Sequence, residues 1–168
     1  ADANFGPELR LYRNSANPAD DDVIGIIDFE GKDSGGNDTI YARIQGEIMQ
    51  ESDGSEDGQL QFDIMKAGTV RNLFMIDRSS VIVNEDSQDV DFRVESDNDA
   101  NAFFVQGSDG HVGLGHSAPD VELHLKQTNN HPTIKFENTK TATDSGDFLG
   151  HILFHGNDGT SGASGDRA

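Results

Sequence analysis

The chain of 168 residues contains no Cys and no Trp, and its 12 Lys and Arg stand against 31 Asp and Glu. Each shortage excludes something. Without Cys there is no disulfide, no thiolate nucleophile and no Cys-based zinc site. A formal charge of −19 opposes the phosphate neutralisation on which nucleic-acid binding rests, while favouring the solubility of a concentrated particle. Neither an apolar run of roughly twenty residues nor a basic-then-apolar leader is present, so nothing reads as a membrane span or a signal peptide. Also missing are G-x-S-x-G, H-E-x-x-H and a phosphate loop. Carboxylates that could pair for glycoside hydrolysis are plentiful. Most of them fall in turn clusters, where backbone hydrogen bonding accounts for them. No enzyme and no cofactor are expected.

What the chain does have is a partial copy of itself. Gly6-Pro7-Glu8-Leu9-Arg10-Leu11 returns as Pro119-Asp120-Val121-Glu122-Leu123-His124-Leu125. Gly25-Ile26-Ile27-Asp28-Phe29-Glu30-Gly31-Lys32-Asp33 returns as Gly150-His151-Ile152-Leu153-Phe154-His155-Gly156-Asn157-Asp158. The chain therefore reads as one full unit and a truncated second one, a window on a longer repetitive protein. A period of about 115 residues exceeds the roughly 20–50 of solenoid rungs, which points to a string of domain-sized modules.

Period-two alternation dominates. Ile40, Ala42, Ile44, Gly46 and Ile48 share one strand face, with Tyr41, Arg43, Gln45 and Glu47 on the other. Leu60, Phe62 and Ile64 read inward, and Gln59, Gln61 and Asp63 outward. The pattern returns in Val90/Phe92/Val94, Val121/Leu123/Leu125 and Ile134/Phe136. Clusters of Gly, Asp, Asn and Ser at 33–38, 51–58, 97–101, 107–110 and 156–166 read as hairpin connections. The chain is all-β with about ten short strands by this pattern. Residues 1–82 are expected to form a β-sandwich-like module, 83–118 a short-strand intertwined segment, and 119–168 the start of the second repeat. Strands as brief as those after residue 83 do not easily close a core alone, and three chains about one axis would supply what one lacks.

The stretch Val81-Ile82-Val83-Asn84-Glu85-Asp86, Val90-Asp91-Phe92-Arg93-Val94-Glu95-Ser96, Asn101-Ala102-Phe103-Phe104-Val105 and His111-Val112-Gly113-Leu114-Gly115-His116-Ser117-Ala118-Pro119 resembles repeats in tail-fibre proteins of tailed bacteriophages. There a segment N-E-x-x-x-D-x-D-F-R-V-E-S-D leads to V-G-[IL]-G-x-x-x-P-x-x-x-L-H-[VL]. Residues 84–97 and 112–125 are similar to these, and residues 6–48 resemble the module that precedes them. The resemblance implies an elongated homotrimer with interlocked short strands of the β-prism kind, placed on a virion. Its partners would be other tail or baseplate proteins, and a host receptor reached through a region outside this chain. Nucleic acid and membrane are not expected partners.

Two metal readings carry little. Asp53-Gly54-Ser55-Glu56-Asp57-Gly58 has the oxygen spacing of a calcium loop, but Ile64 stands where a bidentate Glu belongs. All six His follow residue 110. His151 and His155 would sit about 13 Å apart on a strand at ~3.3 Å per residue, too far for one ion. His124 replaces Arg10 of the first copy, which suggests a solvated or interface position. Phe103 and Phe104 point to opposite strand faces, so one of them is expected to pack between subunits.

The residues expected to form an interlocked trimer core are Val90, Phe92, Val94, Phe103, Val105, Val112, Leu114, Leu123 and Leu125. Gly113 and Gly115 are expected to let the chains approach closely. The expected role is a shaft segment spacing a receptor-binding tip from the particle. Its rivals are a capsid-bound cement or head-fibre protein, a bacterial surface adhesin or extracellular filament, and a tailspike polysaccharide hydrolase.

Overall fold

The computed structural model describes residues 6–137, 139, 152 and 153. They divide into two units, Ala1–Lys126 and Gln127–Ala168. All nine strands lie in the first, and no helix is present among the described residues.

Five strands, β1 (Val23–Lys32), β2 (Asp38–Gln50), β3 (Asp57–Lys66), β4 (Thr69–Ile76) and β5 (Val81–Val83), form an antiparallel meander in chain order. Its turns follow from local chemistry. Between β1 and β2 the Asp33 carboxylate accepts the amides of Gly35 and Asn37, both at 2.8 Å, and Gly36 takes a φ of 87°. Those bonds, the Asn37 side chain foremost, hold the Asp33 carboxyl below the usual range. Ala67 and Gly68 link β3 to β4 with φ of 50° and 80°, the two positive values of a type I′ turn. Asp77 does for β4 and β5 what Asp33 does earlier, accepting the amides of Ser79 and Ser80 at 2.7 Å.

Register sets the two faces. Ile27, Ile44, Phe62, Phe74 and Val83 stand in one row across all five strands, and Gly25, Gly46, Leu60, Ile76 and Val81 in the next. The opposite face carries the rows Ile26, Gln45, Gln61, Met75, Ile82 and Asp28, Arg43, Asp63, Asn72. Among the described residues the expected sandwich over residues 1–82 is not formed, because every link joins strands that are already neighbours and none crosses to a second layer. One sheet results, and no strand of it packs extensively on the second sheet.

Burial inverts the expected assignment on β3. Ile64, read as inward, is exposed, while Asp63, read as outward, is 8 % exposed. After β5 the chain runs on antiparallel to β4, where the Asn84 amide donates to Leu73 O at 2.8 Å and the Asp86 amide to Asn72 O at 3.3 Å. Arg43, the cross-strand neighbour of Asp63, is engaged by Asp28 through two bonds of 2.6 and 3.0 Å. Asp63 Oδ1 is left without a partner. Burial pushes its carboxyl up, with Arg43 opposing and the charge of Asp86 adding.

Four shorter strands, β6 (Phe92–Val94), β7 (Phe103–Val105), β8 (Val112–Leu114) and β9 (Leu123–Leu125), form the second sheet in that order. The pairs β6–β7 and β7–β8 are antiparallel and β8–β9 is parallel. The sheet thus includes residues from both sides of the 118/119 sequence boundary. Three expected strand patterns are not realised as drawn: Val90 and Val121 lie outside β6 and β9, and no strand forms at Ile134 and Phe136, which are exposed. Of the second copy of the Gly25 segment only Ile152 and Leu153 are described, both exposed; His151, His155 and the cluster at 156–166 lie outside the described residues.

Candidate interaction face

Side chains of residues paired across a sheet point the same way. Phe92, Val105, Val112 and Leu123 are successive partners, and Val94 pairs with Phe103 as Leu114 does with Leu125. All eight therefore stand on one face, which is apolar at every strand position. Phe92 and Phe103 meet edge to face there, with ring centroids 6.2 Å apart. Phe92, Val94, Phe103, Leu114 and Leu123 are 36–53 % exposed, and the other three are half-buried. Among the described residues no strand of the first sheet packs extensively against this face, although Val83, Asn84 and Val90 border it beside Phe92 and Val105.

The other face is built differently. Arg93, Phe104, Gly113 and His124 line it, and Phe104 is only 4 % exposed. The link between β8 and β9, residues 115–122, passes over Gly113, where an added Cβ would sit 2.1 Å from His116 O. Gly115 has a φ of 70° and would meet Lys126 O at 2.5 Å. In the structure the close approach at both glycines is thus to the chain's own backbone, and Gly113 lies on the face opposite the eight apolar residues. An inclined, edge-to-face pairing of rings joins the link to β9: the His116 and His124 centroids lie 4.4 Å apart with the ring planes at 67°. His124 Nδ1 is 2.9 Å from Asp120 Oδ1, off the line of a hydrogen bond. Burial, then the nearby charges of Lys126 and His124, lower the pKa of His116.

Asn84 and Asp91 have local duties. Asn84 adopts a φ of 68°, and its side chain closes the following turn by donating to Gln88 O at 2.7 Å and accepting the Gln88 amide at 2.8 Å. Asp91 accepts the Gly107 amide at 2.9 Å. That contact draws Gly107 against Val90, whose backbone N would lie 2.4 Å from an added Cβ. Val90 is consequently half-buried in the approach to β6 and is not one of the strand residues on the apolar face.

Of the eleven residues singled out from sequence, eight share the apolar face, the two glycines shape the link beneath the sheet, and Val90 stands apart. Phe103 lies on the open face and Phe104 on the closed one. The Asp53 to Gly58 stretch spans the link between β2 and β3 and the start of β3, and no group of three or more potential metal-ligating side chains is gathered among the described residues. The His116–His124 pair was not legible in advance, since stacking depends on the link folding back. No helix among the described residues is long and apolar enough to cross a membrane. In comparisons with known proteins, no family model, no curated protein and no solved structure matches the chain.

Proposed function

We propose that the chain is a structural shaft segment of a homotrimeric fibre, of the kind that spaces a receptor-binding tip from a phage particle. The observation that carries the proposal is the apolar face of β6–β9, with eight apolar side chains on one side of a sheet too small to bury them. Exposed apolar patches of this order are often interaction sites, and three copies related by a three-fold axis would each present the same face inward. The five-stranded meander adds a second open apolar row. Turn carboxylates occupied by backbone amides, as at Asp33 and Asp77, give the acidity a structural and solubilising use in place of a catalytic one. The tail-fibre assignment itself rests on the sequence resemblance. The test is the native mass by light scattering after size exclusion. A mass of three chains is expected, and a stable monomer at micromolar concentration would overturn the proposal.

A further inference from the structure

Strand β9 is also the opening of the second repeat. Glu122-Leu123-His124-Leu125 lies in the opening segment of that copy, which starts at Pro119, and its Leu123–Leu125 runs parallel to Val112–Leu114 near the end of the first. The strand that opens one repeat therefore closes the sheet that ends the repeat before it. Glu8-Leu9-Arg10-Leu11 is the same sequence except for Arg10 in the place of His124. No strand forms over residues 6–22, and among the described residues no backbone hydrogen bond reaches Leu9, Arg10 or Leu11. Leu9 is 77 % exposed.

The segment is held only where it leaves the first sheet. Arg13 pairs with Asp22 at 2.7 Å and donates to Val23 O at 3.0 Å. Leu11 rests on Gly25, where an added Cβ would come within 2.8 Å of it. Over residues 8–11 the chain offers an alternating strand sequence, and no backbone hydrogen bond reaches Leu9, Arg10 or Leu11 among the described residues.

We propose that residues 9–11 are a strand of the β9 type, whose partner is the outer edge of a Val-Gly-Leu strand in a repeat joined ahead of it in one polypeptide. The register is that of β8 and β9: Leu9 beside the Val, Arg10 beside the Gly and Leu11 beside the Leu. Leu9 and Leu11 complete the apolar face of that sheet, and Arg10 takes the side that His124 takes here. Placing the acceptor in the same polypeptide follows from the short 115–122 link, which delivers β9 to β8 at high effective concentration. Successive repeats are then joined by a shared sheet. Trimer formation is not required for this, so the two proposals fail separately.

The test is a fusion in which a second copy of residues 84–121 runs directly into Glu8 and the rest of the chain. The probe is hydrogen exchange at the Tyr12 amide, the counterpart of the Lys126 amide that donates to Leu114 O at 2.9 Å. Protection of Tyr12 by about ten-fold or more over the unfused chain is expected. Protection only when Arg10→His restores the β9 sequence would overturn the proposal, and so would protection in neither fusion. His124→Arg in the unaltered chain is an independent check, because it makes residues 122–125 identical to 8–11. The Lys126 amide is expected to stay protected, and its loss would mean that Glu-Leu-Arg-Leu cannot serve as this strand.

Discussion

Leu114→Asp separates a free sheet from an assembled one. In the single chain Leu114 is 36 % exposed, so a carboxylate there keeps much of its water and the β6–β9 sheet persists. In a three-chain core the same carboxylate is buried three times in one layer. At roughly 150–250 Å² for a fully exposed aromatic side chain, and somewhat less for Val and Leu, the five most exposed side chains of the face leave on the order of 350 Å² of apolar surface per chain. Burying it contributes about 9 kcal/mol per chain at ~25 cal/mol per Å². Three chains together bury about 1,000 Å², close to the lower limit for a specific interface, which leaves little reserve. The substitution removes about 1–2 kcal/mol of burial per chain and adds several kcal/mol for an unpaired buried charge. Summed over three chains this is on the order of 15 kcal/mol, or about ten powers of ten in the dissociation constant. Sedimentation equilibrium across micromolar concentrations should find a monomer whose far-ultraviolet dichroism still reports strand. A variant that sediments as the unaltered trimer would refute the axial placement of this face.

Asp63→Asn should raise the melting temperature at pH 7. The folded-state pKa of Asp63 lies above its unfolded value, chiefly through burial, so the folded protein holds that proton to higher pH. Stability from this group therefore falls as pH rises from the ordinary carboxylate value through the raised one, and it stays lower above that window. The amide variant should lose this component of the pH dependence, and an equal or lower melting temperature at pH 7 would contradict it. Gly113→Ala places a methyl 2.1 Å from His116 O, which the 115–122 link can relieve only by lifting. A loss of about 1–3 kcal/mol in denaturant stability is expected, with faster exchange at the Lys126 amide, and a neutral result would mean that the link is not held against the sheet.

Strand positions were legible where alternation is undisturbed, because a period of two ties each apolar residue to one face. β6 and β9 are of this kind, and Phe92, Val94, Leu123 and Leu125 fall on one face as their alternation requires. Asp63 and Ile64 show where the pattern stops being informative. Alternation says which residues share a face but not which face is covered, and residue spacing gave no sign that the chain after β5 would run on beside β4 and bring Asp86 near Asp63. Ala67 gave no signal for its turn, since Ala is not a residue that favours positive φ. The glycines of Val-Gly-Leu-Gly were read as points where separate chains approach, whereas the backbone that comes close to them in the structure is the chain's own, at His116 and Lys126. That depended on the link to a parallel strand, which residue spacing does not encode.

In the five-stranded meander every spatial neighbour is also the neighbour in sequence, and the links are as short as Ala67 and Gly68. Such low contact order lets each hairpin close soon after its second strand is available, strand by strand from the N-terminal side as the chain is synthesised. The parallel β8–β9 pair must wait until residues 115–122 have crossed the sheet. A nascent chain therefore carries a finished sheet with one apolar row in water before its second sheet is complete. The interval between those two events is when unintended edge and face contacts compete with correct assembly, and the carboxylates crowding the turns supply the repulsion that holds nascent chains apart during it.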